Sequence, residues 1–149
     1  MIRLFLTAAL ILALTGCIPP AQTPNLVMAA SRTPSTSRDP DVVLRAWADA
    51  VEARDWAAVR AFWGDYGARS GQSVDAFARQ WSGLHHPIVS LSRGEGEGAA
   101  GSLYYTAPVR IIDGARIVSG EIVIRRVNDV DGASAEQLRW HIESTTLAP

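Results

Sequence analysis

Arg139, His141 and Glu143 alternate along RWHIES near the end of the chain. On an extended segment that spacing puts all three side chains on one side. An imidazole between a guanidinium and a carboxylate can act as a general base. A reaction also needs a nucleophile or a group that stabilises developing charge, and the sequence offers neither beside them. No catalytic residue is therefore assigned. His85 and His86 are neighbours before Pro87, which favours extended backbone. Their side chains then diverge, so a three-histidine zinc site is not expected. The fourteen basic residues are all arginine, which excludes a Schiff-base lysine. The single cysteine, Cys17, excludes an intrachain disulfide, a cysteine-rich zinc site and a C-x-x-C redox pair. No cofactor and no metal are expected.

Two motifs imitate ligand sites. Gly96-Glu97-Gly98-Ala99-Ala100-Gly101 fits G-x-G-x-x-G, but a dinucleotide fingerprint leads into a helix, and Ser102-Leu103-Tyr104-Tyr105 reads as a strand. A flexible hairpin loop is the expectation. Asp129-Val130-Asp131-Gly132 resembles part of a calcium loop, yet the first and twelfth positions would be Val127 and Leu138, which cannot ligate a hard cation.

Cys17 has its own context. Arg3 and the apolar run Leu4–Leu14 form a signal-like segment, too short to span a bilayer. The run ends in Leu14-Thr15-Gly16-Cys17, which resembles the bacterial lipobox. The resemblance implies cleavage after residue 16 and acylation of Cys17, a thiolate being the nucleophile that accepts the lipid. Each buried methylene adds ~0.8 kcal/mol, so two or three chains anchor where one would not. Ile18 in place of an acid implies the outer membrane, with the domain in the periplasm.

Residues 17–38 are rich in Pro, Ser, Thr and Ala without a sustained period and read as a disordered tether. The folded domain is expected over 39–149. Asp39 suits an N-cap and Pro40 the first helical position, and Val43, Leu44, Trp47 and Val51 recur at helical spacing to about Ala53. Asp55 opens a second helix with Trp56, Val59, Phe62, Trp63 and Tyr66 on its apolar face. Ser73 opens a short third one carrying Val74, Phe77 and Trp81. From Pro87 the period becomes two: strands over 88–92, 102–112, 115–127 and 137–147, with a glycine-rich connection at 93–101 and a turn at Asp113-Gly114. If that turn is a two-residue loop, Ile112 faces Ala115 and Ala107 faces Gly120, two small residues that imply a close helix or a hollow.

The class is therefore α+β: three N-terminal helices packed on the apolar face of a curved four-stranded antiparallel sheet. The order VVLRAWADAVEARDWAAVRAFW, then a short helix, then long strands, resembles the nuclear-transport-factor-two-like superfamily. That resemblance implies a cone-like domain, a sheet wrapped round the first helix. Its members include isomerases, dehydratases, binding modules and envelope lipoproteins, so fold alone carries no activity. Trp47, Trp63, Trp81, Tyr105 and Trp140 are the candidates to line a pocket if the cone is hollow. Arg110, Glu121, Arg125, Arg139, His141 and Glu143 are candidates for a protein-contact face on the opposite side of the sheet.

The leading expectation is a lipid-anchored envelope protein whose domain contacts a protein partner or a second copy of itself. A pocket protein for an apolar small molecule or lipid is the alternative, and an isomerase- or dehydratase-like enzyme comes third. A formal charge of −1 offers no footprint for nucleic acid.

Overall fold

The computed structural model describes residues 34–149. The signal segment, Cys17 and residues 17–33 of the tether lie outside them. Among the described residues no helix is long and apolar enough to cross a membrane.

Helix α1 spans Pro40–Glu52, with the Asp39 carboxylate accepting from the Asp41 N–H as its N-cap. Its buried face is Val43, Leu44, Trp47, Ala48, Ala50 and Val51. Helix α2, Trp56–Ala61, is capped by Asp55 and ends sooner than its apolar periodicity suggests. Asp65 and Tyr66 both take positive φ, 54° and 52°, which turns the chain out of the helix and leaves Tyr66 77% exposed. A single 3₁₀ turn, Ala68–Ser70, leads to helix α3, Val74–Trp81, capped by Ser73. Phe77 and Trp81 are buried there, whereas Val74 is exposed.

The strands are β1 (Ile88–Leu91), β2 (Glu95–Ala99), β3 (Ser102–Asp113), β4 (Arg116–Val127) and β5 (His141–Thr145). They form one open antiparallel sheet in the order β1-β3-β4-β5, with β2 paired to the same side of β3 as β1. The fold is α+β, with five strands and four α-helices among the described residues, against the four strands and three helices read from periodicity. The glycine-rich connection is itself strand β2. The start of the last expected strand is instead helix α4, Ala135–Leu138, which a Ser134/Gln137 capping box nucleates.

The β3–β4 register also departs from the expected one. Asp113 pairs with Arg116 across Gly114-Ala115, so Val109 faces Gly120 and Ala107 faces Ile122. The shift is two residues, and two residues preserve the faces. Tyr105, Ala107, Val109 and Ile111 stay inward with Val118, Ile122 and Ile124. Gly120 answers neither a helix nor a hollow. A Cβ there would meet Thr146 Oγ1 at 2.8 Å and Leu147 N at 3.0 Å, so the chain after β5 crosses above it.

The helices cover the inward face. Trp81 joins them, with Phe77 stacked on it at 5.6 Å, Trp56 at 5.8 Å and Trp47 edge-on at 6.3 Å between ring centroids. At one edge of the sheet the Glu52 carboxylate accepts from Val89 N–H at 2.8 Å, fastening β1 to the end of α1. At the other, Ile142 N–H donates to Phe62 O at 2.8 Å and Trp63 bridges Ile142 in parallel, so the chain after α2 closes the β5 edge.

Candidate functional site

Among the described residues the five pocket-lining candidates fall in two separate cavities. Trp47, Trp63 and Trp81 line a cleft of about 210 Å³ with Phe77, Ile122 and Ile142. Tyr105 and Trp140 line a separate groove of about 290 Å³ at the far end of the sheet, with Pro40, Gly96, Gly98 and Leu103. Trp140 is held there by its indole N–H donating to Arg38 O at 2.8 Å. The Tyr105 hydroxyl donates to Asp41 Oδ1 at 2.6 Å and accepts from Gly94 N–H at 2.9 Å. Burial, then the bond to Asp41, pushes this phenol above its ordinary pKa. With both bonds made, Tyr105 latches the start of α1 to β3.

The contact-face candidates divide. Arg110 and Glu121 are exposed on the outer side of the β3–β4 hairpin, and Arg125 is half-buried. Arg139 and His141 are 8% and 6% exposed, so they are buried and present no face. The reason is the segment after α2, which folds back over the outer side of β5. Arg139 Nε donates to Glu136 Oε2 at 2.8 Å and Nη2 to Glu136 Oε1 at 2.5 Å. Nη2 also reaches Trp63 O and Nη1 reaches Trp140 O, both at 3.2 Å. Arg139 thus ties α4, β5 and the Trp63 segment together. Burial works against the charge of Glu136, but the Arg139 guanidinium prevails and holds its carboxyl below the usual range.

His141 lies on the wall of a polar cavity of about 250 Å³, with Gly64, Arg69, Arg125 and Glu136 also lining it. Its Nδ1 is 3.1 Å from Arg139 O, which assigns the ring proton to Nδ1 in the neutral form. Its Nε2 is 3.8 Å from Glu143 Oε2, and that oxygen accepts from Arg69 Nη1 at 3.2 Å. Burial lowers the His141 pKa below its ordinary value, and the Arg139 charge adds to this. A neutral imidazole with a free Nε2 lone pair is the form of a general base. The groups round it are paired with one another, and none is placed as a nucleophile.

Sequence reasoning missed Arg69, although the glycine-bounded run Gly64-Asp65-Tyr66-Gly67 signals the break that delivers it. It also missed Arg126, which follows Ile122 and Ile124 on the inward parity and is 4% exposed, its guanidinium bound to Asp129. His85 and His86 have a structural account: their backbone N–H groups donate to the Asp113 carboxylate at 2.8 and 2.7 Å. Among the described residues no cluster of His, Cys, Asp and Glu suits a metal ion.

The outer side of the sheet carries an isoleucine row. Ile88, Ile112 and Ile117 stand directly across from one another on β1, β3 and β4. Ile88 is 62% and Ile117 51% exposed, with Arg110 in the next row and Glu121 beyond it.

No protein-family model matches the chain, and no curated protein matches it. Among solved structures, that of Bdellovibrio bacteriovorus Bd1075 is similar, with a TM-score of 0.49 and 16% identity. The alignment covers 73% of this chain and 38% of that one, so this chain spans well under half the length of that protein. No activity is carried over from it.

Proposed function

We propose that this chain is an envelope-anchored lipoprotein, acylated at Cys17 and facing the periplasm from the outer membrane, whose domain works by contact with another protein. The lipobox-like Leu14-Thr15-Gly16-Cys17 supports the anchor, and the helices that precede an antiparallel sheet support the cone-like, nuclear-transport-factor-two-like reading of the domain. The observation that carries the contact reading is the isoleucine row Ile88–Ile112–Ile117. It is apolar, contiguous and, among the described residues, left uncovered by any helix, with Arg110 and Glu121 as polar rim. Arg139 and His141 leave the proposed face, and the three isoleucines enter it.

The cleft at Trp81 supports a second reading, an apolar small-molecule site. Its 210 Å³ is below the ~300–1,000 Å³ usual for such sites, so only a small apolar group suits it.

Mass spectrometry of the native product tests the anchor: an acylated Cys17 at the new amino terminus is expected, and an intact leader overturns it. A photo-crosslinking residue at Ile117, compared with one at the exposed Val130, tests the face. A crosslink specific to position 117 that disappears with Arg110→Glu is expected; equal labelling from both positions overturns the contact reading.

A further inference from the structure

Among the described residues, nothing covers the outer edge of strand β2. Its one partner strand among them is β3, and all five of its residues are exposed. The Ala100-Gly101 loop sets the bonding pattern: Ala99 and Ser102 flank a two-residue hairpin and exchange bonds, and alternate pairs follow. Glu95, Glu97 and Ala99 therefore spend their backbone groups on β3. The N–H and C=O groups of Gly96 and Gly98 point away from the sheet.

The two glycines are not needed by the fold. Neither has a positive φ. A Cβ on Gly96 would come no closer than 3.8 Å to Tyr104 O and Tyr105 Cδ2, and one on Gly98 would make the same ordinary contact with Leu103 Cδ2. Gly94, two residues earlier, is different: a Cβ there would sit 2.5 Å from Thr106 O. Glycine inside a strand weakens it, so this pair carries a cost without a local cause. Their register places them inward, opposite Tyr105 and Leu103, where they leave bare backbone beside the 290 Å³ groove of Leu103, Tyr105 and Trp140. Glu95 and Glu97 point outward, and neither carboxylate has a hydrogen-bond or ion-pair partner among the described residues.

We propose that this edge accepts an extended peptide segment as an additional strand, with apolar side chains set against Gly96 and Gly98 and basic ones against Glu95 and Glu97. Main-chain bonds to the two glycines supply the docking, and the missing side chains admit the peptide's apolar residues to the groove. Charge sets the choice of partner. A second copy of β2 would put glutamates across from glutamates, which repels, while a lysine- or arginine-bearing strand is attracted. The site is separate from the isoleucine row and does not depend on it.

The full chain in detergent, titrated with Val-Lys-Val-Lys-Val, tests this, with Val-Glu-Val-Glu-Val and a peptide with a central proline as controls. The lysine peptide is expected to slow amide exchange at Gly96 and Gly98 and to bind about tenfold more tightly than either control, the scale of a few cross-strand charge pairs. Gly98→Val should raise the thermal midpoint and weaken this binding, opposite signs that misfolding cannot produce. Glu95→Lys with Glu97→Lys should reverse the preference between the charged peptides. Protection elsewhere in the domain, equal binding of the proline peptide, or an unchanged affinity in Gly98→Val overturns the proposal. So does no detectable binding.

Discussion

Replacing Arg139 by alanine separates a contact residue from a structural one. The substitution removes both bonds to Glu136 and the bonds to the Trp63 and Trp140 carbonyls. Breaking a buried ion pair from one side costs ~3–5 kcal/mol because the remaining charge stays buried. The Glu136 side chain is 15% exposed and lines the polar cavity, so water can reach it and the lower end, ~3 kcal/mol, applies. For a domain of this size that lowers the thermal midpoint by about 12 °C. Arg139→Met with Glu136→Leu removes both charges and should cost much less than the single change, near ~1 kcal/mol. Arg110→Ala, exposed on the outer face, should stay within about 0.5 kcal/mol of the parent. Urea and thermal denaturation followed by tryptophan fluorescence read all three. An Arg139→Ala protein within ~1 kcal/mol of the parent would refute the reasoning, as would a double variant less stable than the single.

Acid should act in two windows. His141 titrates lower in the folded chain than at its unfolded ~6.5, so stability falls as pH drops from ~6.5 toward the folded value, where only the unfolded chain takes the proton. Asp113 is held low first by the His85 and then by the His86 backbone bonds, so its contribution is present above ~4 and lost as pH falls through the folded value. Denaturation across the range should show His141→Gln flattening the upper window and Asp113→Asn the lower; unchanged profiles count against both assignments. Ala100 holds φ 45° in the β2–β3 loop, a conformation asparagine and glycine take more readily. Ala100→Gly should stabilise by ~0.5–1 kcal/mol in thermal melts, and a loss of stability would contradict the turn geometry. Tyr105→Phe removes the latch to Asp41 and leaves Gly94 N–H without its acceptor, a cost of ~1–2 kcal/mol by urea denaturation. A neutral outcome would deny the latch its role.

Much of the architecture was legible where one local signal sufficed. Asp39, Asp55 and Ser73 mark helix starts because each side chain satisfies an N–H the helix cannot. The period-two runs mark β3 and β4 because one face must leave water. The inward set survived a two-residue error in register, since an even shift leaves the faces unchanged. Strand β2 escaped notice because EGEGA has neither apolar alternation nor β-branched residues; only the Ala100-Gly101 hairpin and its ladder to β3 make it a strand.

Arg139 and His141 were misread as contact residues for a different reason. His141 and Glu143 do come together, 3.8 Å apart, although the ladder to β4 slips at Glu143 and Arg139 precedes the strand. Parity says nothing of what lies over that side. The cover comes from residues 62–71, some seventy positions earlier, and it is delivered by the left-handed backbone at Asp65 and Tyr66. Gly64 permits the approach: a Cβ there would meet Arg69 Cδ at 2.6 Å and His141 Cδ2 at 3.0 Å. Burying Arg139 and His141 costs desolvation, which Glu136 and the Trp63 carbonyl offset for Arg139, and which His141 escapes by giving up its proton, while Glu143 stays exposed. The charge-bearing residues that looked most like a functional surface thus close the β5 edge. At the other edge β1 is tied to Glu52, and what stays open among the described residues is a stretch of glycines and glutamates without a partner there. An edge left bare on one side of a sheet so carefully closed on the other is where binding should be sought first.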